Sequence, residues 1–237
     1  MTMTSVCVTT YNGERYIRQQ LESILVQLTE DDEVIVSDDG STDGTTAAVE
    51  AIGDNRIRLL HHPAPHGVNA NFDYALRHAR GEYIFLADQD DVWLPGKVDK
   101  CIAALNDHVC VMHDCSITDS DLNPTGDTLL QQLGAKTGFW ANLMRNRYTG
   151  CCMAFRSSLM CRILPIPQSR LFYHDNWIGL NAALCGSVAF LPFEGLLFRR
   201  HSAAGSSAAG KSRLSLTQKI MSRAALLWHI CLRLTRK

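Results

Sequence analysis

The 237-residue chain has no Cys-x-x-Cys pair, no uncharged apolar run long enough to span a bilayer, and no acidic residue after Glu194. It also has no Gly-rich loop behind its first β-rich segment, where Tyr11-Asn12-Gly13-Glu14 offers a single glycine and adds an acid. The scattered thiols argue against a disulfide or zinc-ribbon framework and for the reduced thiols of cytosol. Cys7, Cys101, Cys110 and Cys185 sit in apolar surroundings and are expected in the core, and the neighbours Cys151 and Cys152 are expected to pack on opposite faces of a strand. The N-terminal stretch lacks the charged start and apolar run of a secretory signal, so the expectation is a cytoplasmic-side protein. A sugar nucleotidyltransferase would need the missing Gly-rich phosphate loop. His113-Asp114 and His174-Asp175 suggest a metal phosphohydrolase, but further spaced ligands are lacking. Lys and Arg number 23 against 24 Asp and Glu, so bulk charge gives no case for nucleic-acid binding.

What is present is an alternation of short β-rich runs with helical periodicity. Ser5 to Thr10 reads as a strand, and Ile17, Leu21, Ile24, Leu25 and Leu28 recur at helical spacing behind it. Glu33 to Ser37 and Ile57 to Leu60 repeat the strand pattern. Helices are expected over Thr45 to Ile52 and through Val68, Phe72, Leu76 and Ala79. Tyr83 to Ala87 is apolar without alternation, as a central parallel strand covered on both faces would be. The pattern predicts right-handed βαβ units and an open, doubly wound sheet, whose ligands bind beyond the carboxyl ends of the strands. Later elements are less regular. They comprise a helix from Pro95 to Leu105, a strand near Val109 to His113, a turn at Asn123 to Gly126 and a helix around Phe139 to Met144. Strands at Tyr148 to Phe155, Val188 to Leu191 and Leu196 to Phe198, with a helix over His174 to Leu184, complete the second half.

Acidic residues mark two of the expected strand ends. Phe85-Leu86-Ala87 runs directly into Asp88-Gln89-Asp90-Asp91, and carboxylate oxygens suit Mg2+ or Mn2+, which bind through one or two side chains plus substrate phosphates. If the segment were extended, Asp88 and Asp90 would face the same way, one holding a cation and the other a sugar hydroxyl. The plain alternative is a solvated turn in which Asp91 caps the following helix. At Asp38-Asp39-Gly40-Ser41-Thr42-Asp43, Gly40 permits a tight turn and Ser41 or Asp43 is expected to cap the next helix, while Asp38 stands where it can accept from a nucleobase.

Taken together, Val8 to Gly13, Asp38 to Ser41 and Asp88 to Asp91 resemble, in order and spacing, the motifs of family 2 glycosyltransferases. The Asp-Gln-Asp-Asp-Val-Trp run is similar to that of the bacterial rhamnosyltransferase-like branch. The resemblance reaches His201 and implies an α/β GT-A fold, a Rossmann-like doubly wound, mostly parallel sheet with an acceptor-side extension. It further implies that Thr9, Tyr11 and Asp38 contact the base, that Asp88 contacts the ribose, and that Asp90 holds a Mn2+ or Mg2+ ion with His201. Asp175 matches the catalytic base at a helix N-terminus, and inversion at the anomeric carbon follows from that match. Taken alone, Asp175 reads first as a helix cap, and a lone histidine beside arginines, as His201 is, reads first as a surface residue. His174 stands where relatives commonly carry an acid before the base, and Ser202-Ala203-Ala204 follows His201 where relatives often carry asparagine. Asn142, Arg147, Gly150 and His174 are the candidates for the acceptor wall.

The implied division places a nucleotide-sugar half in residues 1–105, an acceptor half in 106–205 and a basic amphipathic helix in 206–237. Partners are then a nucleoside-diphosphate sugar and a saccharide or lipid-linked saccharide acceptor, in the making of cell-surface polysaccharide or glycolipid. The absence of a processive-synthase Gln/Arg-x-x-Arg-Trp motif points to transfer of a single hexosyl or deoxyhexosyl unit. Leu214 to Leu234 alternates apolar residues with Lys219, Arg223 and Arg233. That pattern suits either an anionic bilayer surface at the inner face of the plasma membrane or packing on the domain. A nucleotide-sugar binding protein without catalysis stays open.

Overall fold

The structure, a computed structural model, describes residues 2–201 and 215–235. Three parallel βα units open the chain: β1 (Thr4–Thr10), α1 (Ile17–Leu25), β2 (Glu33–Asp38), α2 (Thr45–Glu50), β3 (Ile57–His61) and α3 (Val68–His78), followed by β4 (Tyr83–Asp88). Val6, Cys7, Val8, Val34, Ile35, Val36 and the run from Ile84 to Ala87 are fully buried. Central strands covered on both faces need this continuous apolar character. Ile17, Leu21 and Ile24 seal α1 on the sheet, and Phe72, Ala75 and Leu76 seal α3. Val68, expected on that apolar face, is instead half exposed at the first position of its helix.

The chain continues through β5 (Val92–Trp93), α4 (Lys97–Leu105), β6 (Cys110–Thr118), β7 (Pro124–Thr128), α5 (Leu129–Leu133), α6 (Phe139–Met144), β8 (Met153–Arg156), α7 (Met160–Ile163), α8 (His174–Cys185), β9 (Val188–Arg199) and α9 (Leu216–Thr235). One nine-stranded sheet runs in the order β3-β2-β1-β4-β8-β6-β9-β5, with β7 attached to β6. It is parallel from β3 to β4. Beyond β4 it is mixed, because β8 pairs antiparallel with both β4 and β6 while β9 lies parallel to β6. The parallel βα units agree with the doubly wound sheet expected of a GT-A fold, and the two expected halves share this single sheet.

Several expectations for the second half are corrected. The Asn123–Gly126 turn lies earlier, where Asp119 Oδ1 accepts from the backbone of Asp121 and Asn123, and Pro124 already belongs to β7. Tyr148 to Phe155 is not one strand: Gly150–Cys152 forms a 3-10 turn before β8, and both Cys151 and Cys152 are fully buried. Val188–Leu191 and Leu196–Phe198 join into β9, whose register slips against β6 at His113–Asp114 and Asp114–Ser116 absorb the interruption. Cys185, expected in the core, is exposed at the end of α8. Gly96, with φ +80, starts α4 two residues after Leu94, and Asp91 does not cap it.

Leu226 and Ile230 pack α9 on the body, and Arg233 donates to the carbonyls of Leu164 and Pro165. Its outer side exposes Leu216, Ile220, Met221 and Trp228. Among the described residues no helix is long and apolar enough to cross a membrane. The 205/206 boundary, Ser202–Ala204 and Leu214 lie outside the described residues.

Candidate active site

Strand register brings the motifs to one edge. Thr9 stands opposite Ser37 on β2 and Asp88 on β4, and Thr10 stands opposite Asp38. The β4 strand stops at Asp88, and Gln89 and Asp90 turn away in a bend rather than continuing it. The bend is bolted in place by Gln89. Its Oε1 accepts from Thr10 Oγ1 at 2.6 Å and from the Tyr11 N–H at 2.8 Å, and its Nε2 donates to the Tyr11 carbonyl at 3.1 Å. Gly13 is required alongside, since a Cβ there would lie 2.3 Å from Gln89 Oε1.

The other side of the bend is held from the end of β9. Arg199 is buried over the Tyr16 ring and donates through Nε to the Asp90 carbonyl at 2.8 Å and through Nη2 to Gln19 Oε1 at 2.8 Å. Its backbone N–H meets Asp91 Oδ1 at 3.1 Å. Two residues on, His201 Nε2 donates to Asp90 Oδ2 at 2.7 Å, so the two residues expected to share a cation are neighbours in space.

The acids gathered here are poorly satisfied. Burial pushes the Asp88 carboxyl up to about 7, helped by the nearby charges of Asp90 and Asp175 and opposed by Lys97. Asp91 is driven well above the usual carboxylate range, by burial first and then by Asp90 and Asp88, and its Oδ2 is buried without a partner. Cys151 completes a trio with Asp88 and Asp91 whose ligand atoms all lie within 4.8 Å of one another. Beneath them the fully buried Lys97 donates to the Cys151 carbonyl at 3.0 Å and sits 3.7 Å from the Trp93 ring centroid. An oxygen-rich cluster with one histidine beside it and an unsatisfied buried carboxylate oxygen fits a hard divalent cation.

Asp175 enters at the first turn of α8, close enough for its charge to be felt at Asp88. Burial raises it to about 6, against hydrogen bonds from its neighbour Asn176 N–H (2.6 Å) and Asn146 Nδ2 (3.4 Å). Its neighbour His174 is buried and stacks on Phe72 at 3.9 Å, with both ring nitrogens unpartnered. Burial lowers it to about 3, so the ring is neutral at physiological pH. Gly150 lies against that ring, where a Cβ would come within 2.4 Å of Nε2. Gly150 and His174 therefore meet. Asn142 and Arg147 do not join them: Asn142 donates to the carbonyls of Lys136 and Gly138, and Arg147 to those of Gly134, Ala141 and Arg145, tying up the loop around α6.

At the end of β2, Asp38 is buried and its oxygens accept from the backbone N–H groups of Gly40 and Ser41 and from the Ser41 hydroxyl. Neither Ser41 nor Asp43 is the N-cap of α2, which is Gly44 without a side-chain cap; Asp43 instead accepts from the Thr45 N–H at 3.0 Å one position further in. Between the turn after β1, the acid bend and the end of β9, a cavity of about 690 Å3 is lined by Tyr11, Arg15, Tyr16, Gln89, Arg200 and His201, among others. Gln89, Lys97, Cys151 and Arg199 were not among the expected site residues. A charge closing the apolar run Leu196 to Phe198 was the available sign for Arg199; Lys97 has no comparable signal.

The family model described as Glycosyl transferase family 2 matches residues 5–163. The chain belongs to this family. An uncharacterized glycosyltransferase of Nostoc is 26% identical over 211 residues, covering 84% of this chain and 65% of the relative. A protein of Mycobacterium tuberculosis is 30% identical over 214 residues, covering 83% and 58%. The chain thus spans about three fifths of the length of these relatives. Among solved structures, Staphylococcus aureus TarS in complex with UDP-GlcNAc superimposes with a TM-score of 0.72 at 19% identity, covering 100% of this chain and 67% of that one. The Pyrobaculum calidifontis mannosyltransferase in complex with GDP-Man and Mn2+ gives 0.61 at 22% identity, covering 99% and 64%.

Proposed function

We propose that this family 2 chain transfers one sugar from a nucleoside-diphosphate sugar to an acceptor hydroxyl, with inversion at the anomeric carbon. The observation that carries the proposal is the convergence of Asp88, Asp90, Asp91, Asp175 and His201, drawn from three distant stretches of chain, beside one cavity at the carboxyl edge of the sheet. In this reading residues 1–105 form the donor half and 106–205 the acceptor half. Thr9 and Tyr11 flank the base, Asp38 acts through the turn it holds, and Asp88 faces the ribose. Asp90 and His201, with Asp88 and Asp91 behind, would hold Mn2+ or Mg2+, which supplies positive charge to the diphosphate when bound.

The acceptor enters from the α8 side. Its oxygen forms the new bond to the anomeric carbon as the bond to the diphosphate breaks, the electron pair leaving with the nucleoside diphosphate and the proton passing to the Asp175 carboxylate. A base raised to about 6 suits this step: it is ionised near neutrality yet retains proton affinity. Neutral His174 stacked on Phe72 fixes the first turn of α8, and Gly150 makes the room that its ring occupies. The motif run from Asp88 to Trp93 favours a deoxyhexose such as rhamnose as donor sugar, and the exposed apolar side of α9, with Leu216, Ile220, Met221 and Trp228, favours a lipid-linked acceptor met at the inner face of the plasma membrane.

The test is incubation with a panel of labelled nucleotide-sugars and Mn2+ or Mg2+, following donor hydrolysis and transfer. Turnover of one donor, abolished in Asp90→Asn, is the expected result. Binding of a donor without turnover under any acceptor would leave a binding protein and overturn the catalytic reading.

A further inference from the structure

Helix α3 belongs to the donor half, yet it grips the segment that carries Asp175. Its N-terminus is fastened beside the end of β2, where the Gly67 N–H donates to Asp39 Oδ2 at 2.8 Å and Asn71 Nδ2 to the Ser37 carbonyl at 2.9 Å. Asn69, Phe72 and Asp73 stand at i, i+3 and i+4, on one face of the helix. All three touch the stretch from Ile166 to His174 that leads into α8. Asp73 Oδ1 accepts from the Ile166 N–H at 2.6 Å, and the Phe72 ring stacks on His174 at 3.9 Å. Between them the buried Asn69 turns its Nδ2 to the carbonyls of Phe172 at 3.1 Å, Pro167 at 3.3 Å and Ser169 at 3.4 Å. We propose that Asn69, Phe72 and Asp73 are positioning residues that set where α8 begins, and through it where the Asp175 carboxylate stands against the donor; this rests on the reading of Asp175 as the base.

Helix α8 does not mark its own start. Its N-cap, Tyr173, makes no side-chain cap hydrogen bond, so the exact beginning of the helix depends on how the preceding chain arrives. That chain curls through short local bonds, Ser169 N–H to the Pro167 carbonyl at 2.9 Å and Leu171 N–H to Ser169 Oγ at 3.1 Å. Local bonds of this kind give the segment a shape but do not orient it against the sheet. The α3 face supplies the orientation by holding residues 166, 172 and 174 from one stiff support, itself sealed on the sheet by Ala75 and Leu76. An amide suits the central place because its two hydrogens can be shared among several carbonyls, whereas a carboxylate of the same size would repel them. Asn69 Oδ1 is buried without a partner, so every hydrogen bond the side chain makes goes to this segment. A base displaced by about 1 Å loses on the order of 100-fold in rate, which makes the placement of α8 a matter of catalysis as well as of stability.

The test compares the full-length parent with Asn69→Asp, Asp73→Ala, Asp175→Asn and the double variant Asn69→Asp/Asp175→Asn. Turnover of the nucleotide-sugar selected by the donor panel is followed with Mn2+, to acceptor or to water, alongside amide hydrogen exchange of the chain alone. Asn69→Asp should lower kcat at least about 10-fold while leaving the donor KM and the donor thermal shift unchanged. Exchange at Asn176 and Trp177 should quicken in both single α3 variants. In the Asp175→Asn background the Asn69 substitution should cost less than about 2-fold more, since residues acting through one group are not additive. Asp73 is partly exposed, so Asp73→Ala should fold and show the same split of kcat from KM even if Asn69→Asp does not fold. Unchanged exchange at the start of α8, equal losses in kcat and donor affinity, or a full additive loss in the double variant would each overturn the proposal. A parent that turns over no donor sinks the transferase reading and this inference with it; an active parent whose kcat the α3 variants leave unmoved sinks this inference alone.

Discussion

Two acidic strand ends, written alike in the sequence, are finished in opposite ways. After β2, the Asp38 carboxylate is satisfied by two backbone N–H groups and a hydroxyl, and Asp39 by two histidines and Gly67. After β4, Asp91 keeps a buried oxygen with no partner, and Asp88 is raised to about 7. A carboxylate that the protein itself satisfies shapes the chain. One that it buries and leaves short of partners awaits something from outside, because the desolvation cost would otherwise stand uncompensated.

The largest expected effect breaks the β4 side. Asp90→Asn removes the charge facing His201 and should lower transfer by about 1000-fold, measured as initial rates at saturating cation. Next comes the proposed base: Asp175→Asn should cost about 100-fold in kcat while leaving the thermal shift produced by the donor nearly unchanged.

The same variant gives a stability readout. Asp175 binds its proton more tightly folded than unfolded, so ionising it penalises the fold as pH rises from about 4 to about 6. Asp175→Asn should therefore gain stability relative to the parent across that window and hold the gain above it, with a ceiling of about 3 kcal/mol. A gap that shrinks with rising pH would contradict the burial described here. Melting midpoints at fixed salt across pH 4 to 8 decide it.

On the β2 side the sign reverses. Asp38→Ala should destabilise the chain by about 1–3 kcal/mol, since three donors lose their acceptor; denaturant unfolding measures this. The smallest effect sharpens the contrast. Gln89→Ala should cost about 1 kcal/mol in stability and raise the donor KM more than it lowers kcat, because it frees the bend from Thr10 and Tyr11 without removing an acid.

Legibility in the sequence followed the locality of the causes. Strands β1 to β4 and helices α1 to α3 could be placed to within three residues, the largest miss being the end of α1 at Leu25 rather than Leu28, because each buries its own apolar face against a neighbour close in sequence. The second half depended on pairings made across the sheet. Nothing near Val188 announces that its strand continues past Pro192, since continuity comes from β6 some 80 residues earlier. Gly150 likewise breaks an apparent strand for the sake of His174, a residue on another element. Within the site, Asp88, Asp90, Asp175 and His201 were legible because their motifs carry chemistry. Gln89, Lys97 and Arg199 were not, because their work is to hold those residues, and it shows only once the partners are in place.

The length of β9 carries one further consequence. A single twelve-residue strand starts beside α8, the helix bearing Asp175, is clipped to the two-residue β5 just past the acid bend, and ends two residues before His201. The acid bend is thus tied directly to β9, through β5 and through Arg199, rather than left on a separate arm. Their spacing should survive ligand exchange, and amide hydrogens from Leu196 to Phe198 should be among the last in the molecule to exchange with solvent.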